Sequence, residues 1–127
     1  MPSAGAPSPD APVLVLISVD PETSHRANEA IRIALGIIAG ENDVIVALLG
    51  PGAKVLDAEV EDYVDGEDIL KHLGTLRKLG QVFLVQREAM RDDGRGGDWN
   101  PVGVDVVPVD GARLATLVSS SRRILVF

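Results

Sequence analysis

Cysteine is missing from all 127 residues, and that absence removes more chemistry than any motif in the chain supplies. Without a thiol there is no disulfide, no thiolate nucleophile and no thiolate metal ligand. Aromatic residues make up only 3% of a chain that is 46% hydrophobic. The core must therefore be built from Val, Leu, Ile and Ala, which suits a parallel sheet buried on both faces. Positive charge is scarce as well: 12 Lys and Arg face 19 Asp and Glu, for a net charge of −7. Nucleic-acid surfaces need a basic stripe to displace counterions, and anionic membranes need one to hold a protein, so both partners are excluded as expectations. Val13–Val19, the first apolar run, is too short to span a bilayer and has no Lys or Arg before it. It reads as neither membrane span nor signal peptide, and a cytoplasmic location is the expectation.

What is present reads as one domain. Residues 1–12 are small and Pro-rich, a disordered lead-in, and residues 13–127 form a single α/β unit of common size. Val13–Val19 is nearly all apolar and β-branched, as in a strand covered on both sides. Asp20-Pro21-Glu22 then reads as a helix start, with Thr23 or Ser24 as the alternative cap. Ala27, Ala30, Ile31, Ala34, Leu35 and Ile38 recur at helical spacing, and Gly40 is placed to end that helix in a left-handed turn. Val44–Leu49 is a second strand, stopped by Gly50-Pro51-Gly52. Residues 57–68 carry seven carboxylates in twelve positions and read as a solvated loop or short helix face that could select a basic protein partner.

Ile69 through Leu79 reads as a helix with Leu70, Leu73 and Leu76 inward, ended by Gly80. Gly74 inside it points to a close helix–sheet contact or a weak helix. Gln81–Val85 is a third strand, followed by a short helix at Arg87–Arg91 and a Gly-rich polar loop, Asp92–Pro101, around Trp99. That Trp is open to three readings: cover for the sheet edge, an oligomer contact, or a lid. Val104–Val107 is a fourth strand, with Pro108 at its end. Asp110 caps a helix with Leu114, Leu117 and Val118 inward, and Arg123–Phe127 is the fifth strand. Strands alternating with helices imply right-handed βαβ crossovers and a mainly parallel sheet in a three-layer α/β/α sandwich.

The order and spacing of several short segments resemble the DsrE/DsrF-like family of sulfur-relay proteins, with its YchN-like fold. They are Leu48-Leu49-Gly50-Pro51-Gly52 after strand two, Leu79-Gly80-Gln81-Val82 into strand three, Ala89-Met90-Arg91 in the following helix, and Ser121-Arg122-Arg123-Ile124-Leu125-Val126-Phe127 at the end. The resemblance implies a three-layer sandwich and assembly as trimers, hexamers or mixed complexes. It also implies a cysteine just after strand three that accepts a persulfide and passes it on. Aligned on Ala89-Met90-Arg91, that position falls near Val85 or Gln86. Neither side chain can hold a persulfide, so cysteine-dependent sulfur transfer is excluded. The resemblance then implies an oligomeric scaffold or accessory subunit, with a sulfur carrier as possible partner.

Open parallel sheets bind ligands outside the carboxyl ends of their strands. The candidates there are Asp20, Thr23, Ser24 and His25 after strand one, Gly50 and Gly52 after strand two, and Gln86 and Arg87 after strand three. They suit a small anion or nucleotide, the alternative function, because helix N-termini favour negative charge. Asp20 and Asp110 also read as plain helix caps. Gly50-Pro51-Gly52-Ala53-Lys54 lacks the Gly-Lys-Ser/Thr ending of a phosphate loop and reads as a turn. His25 with Asp20 or Glu22 would be the base of a cysteine-independent enzyme, but no nucleophile is marked. No catalytic residue, metal ligand or cofactor is therefore assigned. A receiver domain is set aside, since it needs paired acids after strand one and a Lys near strand five.

Overall fold

The computed structural model describes residues 9–90 and 99–127. Five strands, β1 (Val13–Ile17), β2 (Val44–Leu48), β3 (Val82–Gln86), β4 (Asp105–Val109) and β5 (Arg123–Val126), form one sheet. Its order is β4-β3-β2-β1-β5, and every pairing is parallel. Three α-helices connect them: α1 (Arg26–Ala39), α2 (Gly66–Lys78) and α3 (Gly111–Ser120). The first three crossovers step the sheet in one direction, and the last returns from β4 across the sheet to β5 beyond β1. Right-handed crossovers running in opposite directions put their connections on opposite faces. Hence α1 and α2 share one face and α3 has the other.

Alternation along each strand sorts the core. Val13, Val15 and Ile17 of β1, Val46 and Leu48 of β2, and Phe83 and Val85 of β3 point into one large cluster with Ala27, Ala30, Ile31 and Ala34 of α1 and Ile69, Leu73 and Leu76 of α2. On the opposite face Leu14, Ala47 and Leu117 are buried together, with Leu16, Ile45, Leu84 and Leu114 packed around them. The first cluster is much the larger of the two.

Several expectations need correction. β1 ends at Ile17, not Val19; beyond it the Ser18 amide and hydroxyl both donate to the carbonyl of Phe127, the residue after β5. Helix α1 begins at Arg26, not at Asp20. Asp20 instead closes a turn: its carboxylate accepts the Glu22 amide at 2.9 Å and its carbonyl accepts the Thr23 and Ser24 amides. Ser24 is the residue that receives a helix amide, from Arg26 at 3.1 Å. Gly40 is not left-handed (φ −83°); the left-handed residue is Glu41, one position on. Residues 50–56 are more than a turn, since Gly50–Leu56 winds into a 3-10 helix that buries Val55 and Leu56.

Within the acid-dense stretch Asp57 is buried, whereas Glu59, Glu61, Asp62, Asp65, Glu67 and Asp68 are solvated as expected. The Tyr63 hydroxyl donates to Asp57 at 2.8 Å and helps to compensate the burial. α2 starts three residues earlier than its apolar pattern suggests, and Leu70 is only half-buried. The helix expected at Arg87–Arg91 is a 3-10 turn, Arg87–Ala89, with Arg91 outside the described residues. β4 runs on to Val109, so Pro108 lies within the strand, paired with Val85; an edge strand tolerates the missing donor. Val118 is exposed rather than inward. Residues 92–98 of the expected loop also lie outside the described residues, and Trp99 pairs with Asp57 in an isolated antiparallel bridge and packs against the large cluster. Its indole Nε1 is buried, and among the described residues it has no hydrogen-bond partner.

Candidate functional site

The carboxyl ends of β2 and β3 open into a cleft of about 360 Å³ lined by Gly50, Pro51, Ala53, Lys54, Gln86, Glu88, Ala89 and Met90. Its two walls come from the 3-10 helices that follow β2 and β3, and a side chain joins them. Gln86 Oε1 accepts the Gly50 amide at 2.9 Å. Gly50 holds φ at +50°, where other residues are strained, and so aims its amide across the cleft. Gly52 does a different job. A side chain there would run into the Ile17 carbonyl, so the glycine lets this helix lie directly on the end of β1. Of the two glycines, only Gly50 reaches the cleft lining.

Lys54 is the cation of the cleft. Its ammonium donates to Asp20 at 3.1 Å and to Glu22 at 2.6 Å, tying the cleft to the turn after β1. The Glu22 and Asp20 carboxylates hold the Lys54 ammonium protonated above its ordinary range. The Glu22 backbone N–H is the main cause that lowers the Asp20 carboxyl below its usual value, with the Lys54 ammonium adding to it. In the sequence Lys54 reads only as the end of a failed phosphate loop. The only available signal was its place at the carboxyl end of a strand, six residues past β2.

The other candidates spread along the rim. Thr23 reaches the Asp20 carbonyl at 3.5 Å, and Ser24 is taken up by the Arg26 amide. His25 is exposed at the N-cap of α1, and among the described residues it makes no hydrogen bond to Asp20 or Glu22. Arg87 is exposed and lies outside the cleft lining. The second histidine, His72 on α2, meets Asn28 of α1 at 3.2 Å. The structure thus unites Gly50 with Gln86, and Asp20 with Lys54, and leaves Thr23, Ser24, His25 and Arg87 apart. Asp110, also at a strand end, is a helix cap that accepts the Arg113 amide at 2.9 Å.

In this arrangement the polar groups of the cleft already hold one another. The Gly50 amide is already engaged by Gln86, and the Lys54 ammonium by two carboxylates, while Glu88 adds a further negative charge to the wall. An anion at Lys54 would compete with two carboxylates of its own sign, and one at Gly50 with the neutral carboxamide of Gln86. Among the described residues no cluster of three or more His, Cys, Asp or Glu is disposed to hold a metal ion, and no helix is long and apolar enough to cross a membrane.

Five chains of solved structures are similar to this one. One is the ychN protein from E. coli, with a TM-score of 0.71 at 17% identity over 92% of this chain and 99% of that one. At that identity the likeness speaks for the fold alone. No curated protein matches the sequence. The model of the DsrE/DsrF-like family matches residues 11–127, which include all five strands and the cleft. The chain belongs to the DsrE/DsrF-like family and is thereby related to the sulfur-relay proteins.

Proposed function

We propose that the protein is a non-catalytic member of this family: an accessory subunit, assembled from copies of itself as a trimer or hexamer, that cannot carry a persulfide. The observation that carries this reading is Gln86. It stands at the carboxyl end of β3, in the lining of the cleft, in a chain without cysteine. A sulfur relay needs a thiolate that attacks a persulfide and then carries the outer sulfur. A carboxamide does neither. Here it serves as a strut, accepting the Gly50 amide and holding the two walls together. A sulfur carrier is the natural partner for such a subunit, and the cytoplasm its natural compartment.

The test restores the missing atom. Gln86→Cys is exposed to a low-molecular-weight persulfide, R–S–SH, and followed by intact mass. The introduced thiolate attacks the outer sulfur, the S–S bond of the reagent breaks, RS⁻ leaves, and the protein gains one sulfur that a reductant removes. Expected is faster loading in Gln86→Cys than in Lys71→Cys, a control on the exposed side of α2, and none in the wild type. Equal rates in the two variants would show that the cleft has no kinship to a relay site. Sulfur on the wild-type chain would overturn the reading altogether.

A further inference from the structure

The pairings across the cleft leave hydrogen-bond donors unspent. A carboxamide carries an acceptor oxygen and an NH₂ group with two donors. Gly50 offers only a backbone N–H, so the oxygen of Gln86 must face it, and that contact fixes the direction of the whole amide group. Gln86 Nε2 has no partner among the described residues, and it is not buried either, since Trp99 Nε1 alone among them is both buried and unpartnered. The NH₂ group therefore meets solvent, and it does so in the lining of the cleft. Lys54 has a similar surplus. An ammonium has three donors, and Asp20 and Glu22 take two of them. The same carboxylates hold the ammonium protonated, so the third hydrogen stays in place.

The remaining groups say what could use those donors. An anion at Lys54 competes with two carboxylates, and Glu88 in the lining adds a charge of the same sign. A cation would be drawn to Glu88 but has no use for an NH₂ group that can only donate. A neutral carbonyl oxygen accepts from either donor without a charge penalty, and an N–H beside it has the Glu88 carboxylate as acceptor. Pro51, Ala53, Ala89 and Met90 give the rest of the lining an apolar character suited to the carbon part of such a molecule. We propose that the cleft binds an uncharged amide, whose carbonyl oxygen accepts from Gln86 Nε2 and whose apolar part lies against Pro51, Ala53, Ala89 and Met90. A peptide segment and a free carboxamide share this chemistry. The proposal rests on the reading of Gln86 as a strut rather than a sulfur acceptor, and gives the strut a second use: the contact that ties the walls together also aims a donor.

The test is a nitrogen-15 NMR titration of the full chain with N-methylacetamide, with the capped peptide N-acetyl-trialanine amide, and with inorganic phosphate. Expected are saturable shifts of the Gln86 side-chain NH₂ and the Gly50 N–H with both amides, and none there with phosphate. Tighter binding of the capped peptide assigns the site to a peptide segment, and equal binding assigns it to a free carboxamide. The variant Gln86→Glu sharpens the test, because its carboxylate still accepts the Gly50 N–H while the donor is gone. It should bind both amides at least about tenfold more weakly than the wild type. No shift at these groups with either amide overturns the proposal, as does a folded variant that binds as tightly as the wild type or a site that prefers phosphate. The wild-type titration decides the matter if the variant loses its fold. Failure here leaves the accessory-subunit reading in place, because persulfide loading of Gln86→Cys tests that reading separately.

Discussion

The two faces of the sheet are built from the same kind of strand and finished to different degrees. Against one face lie α1, α2 and the 3-10 helix Gly50–Leu56, and the apolar side chains between them are buried, from Val13 on β1 to Phe83 on β3. Against the other lies α3 alone, and there Leu14, Ala47 and Leu117 are buried in one small cluster, with Val109 of β4 buried on the same face. The difference follows from strand order. Three crossovers in one direction place their connections on one side, and a single return crossover must serve the other. A fold of this topology closes its own core on the first face and offers the second. The cleft belongs to the finished side, since its walls are extensions of the elements that pack there.

The sharpest way to break this comparison is to truncate one residue on each face. Phe83→Ala should cost about 3–5 kcal/mol in urea unfolding, because the ring is fully buried and the cavity cannot collapse. Val107→Ala, in dilute protein, should cost less than about 0.5 kcal/mol, as an exposed substitution does. Similar losses at both positions would mean that the α3 face is closed within one chain. Next in size is Gly52→Ala. Its methyl group must push the 3-10 helix off the Ile17 carbonyl, for a loss of about 1–3 kcal/mol by thermal unfolding. A neutral result would deny the close approach that positions the cleft.

Gly74→Ala should act in the opposite direction. The added methyl meets nothing, so α2 gains up to about 1 kcal/mol from helix propensity alone, read as a higher Tm. Of the two meanings the sequence allowed for Gly74, the open space selects the weak helix. The smallest effect is spectroscopic. Burial, and then the Asp57 carboxylate beside it, raises the Tyr63 hydroxyl well above its ordinary value. Tyr63 is the sole tyrosine, so the phenolate absorbance of the folded protein should stay absent where a free tyrosine ionises, near pH 10. A raised value favours the folded state below the ordinary tyrosine pKa, and that contribution is lost as pH rises through the folded value. Asp57→Asn should lower the onset only in part, because burial is the larger cause; an ordinary titration in the wild type would place Tyr63 in solvent.

Much of this fold was legible because buried parallel strands leave near-continuous runs of Val, Ile and Leu, which the sequence shows at 13–17 and 44–48, and the exposed edge strand β5 carries a like run at 124–126. Helix starts were harder. Asp20-Pro21-Glu22 has the composition of a first turn, yet the Lys54 ammonium, 34 positions away, draws both acids into a turn of their own. Nothing local announces a contact at that separation, and the same is true of the Gln86–Gly50 strut that defines the cleft. Val118 was misread for another reason. Helical spacing marks it as apolar, but the expectation of a covered helix assumed that both faces of the sheet are equally dressed. Asp57 escaped notice among six solvated acids because charge density reports on a segment and not on the one member that turns inward.

Amide hydrogen exchange, followed at low protein concentration, tests the asymmetry between the faces most directly. Amides of α3 should exchange faster than those of α1 and α2. Equal protection of all three helices would contradict the claim that one copy of this chain leaves its sheet half dressed.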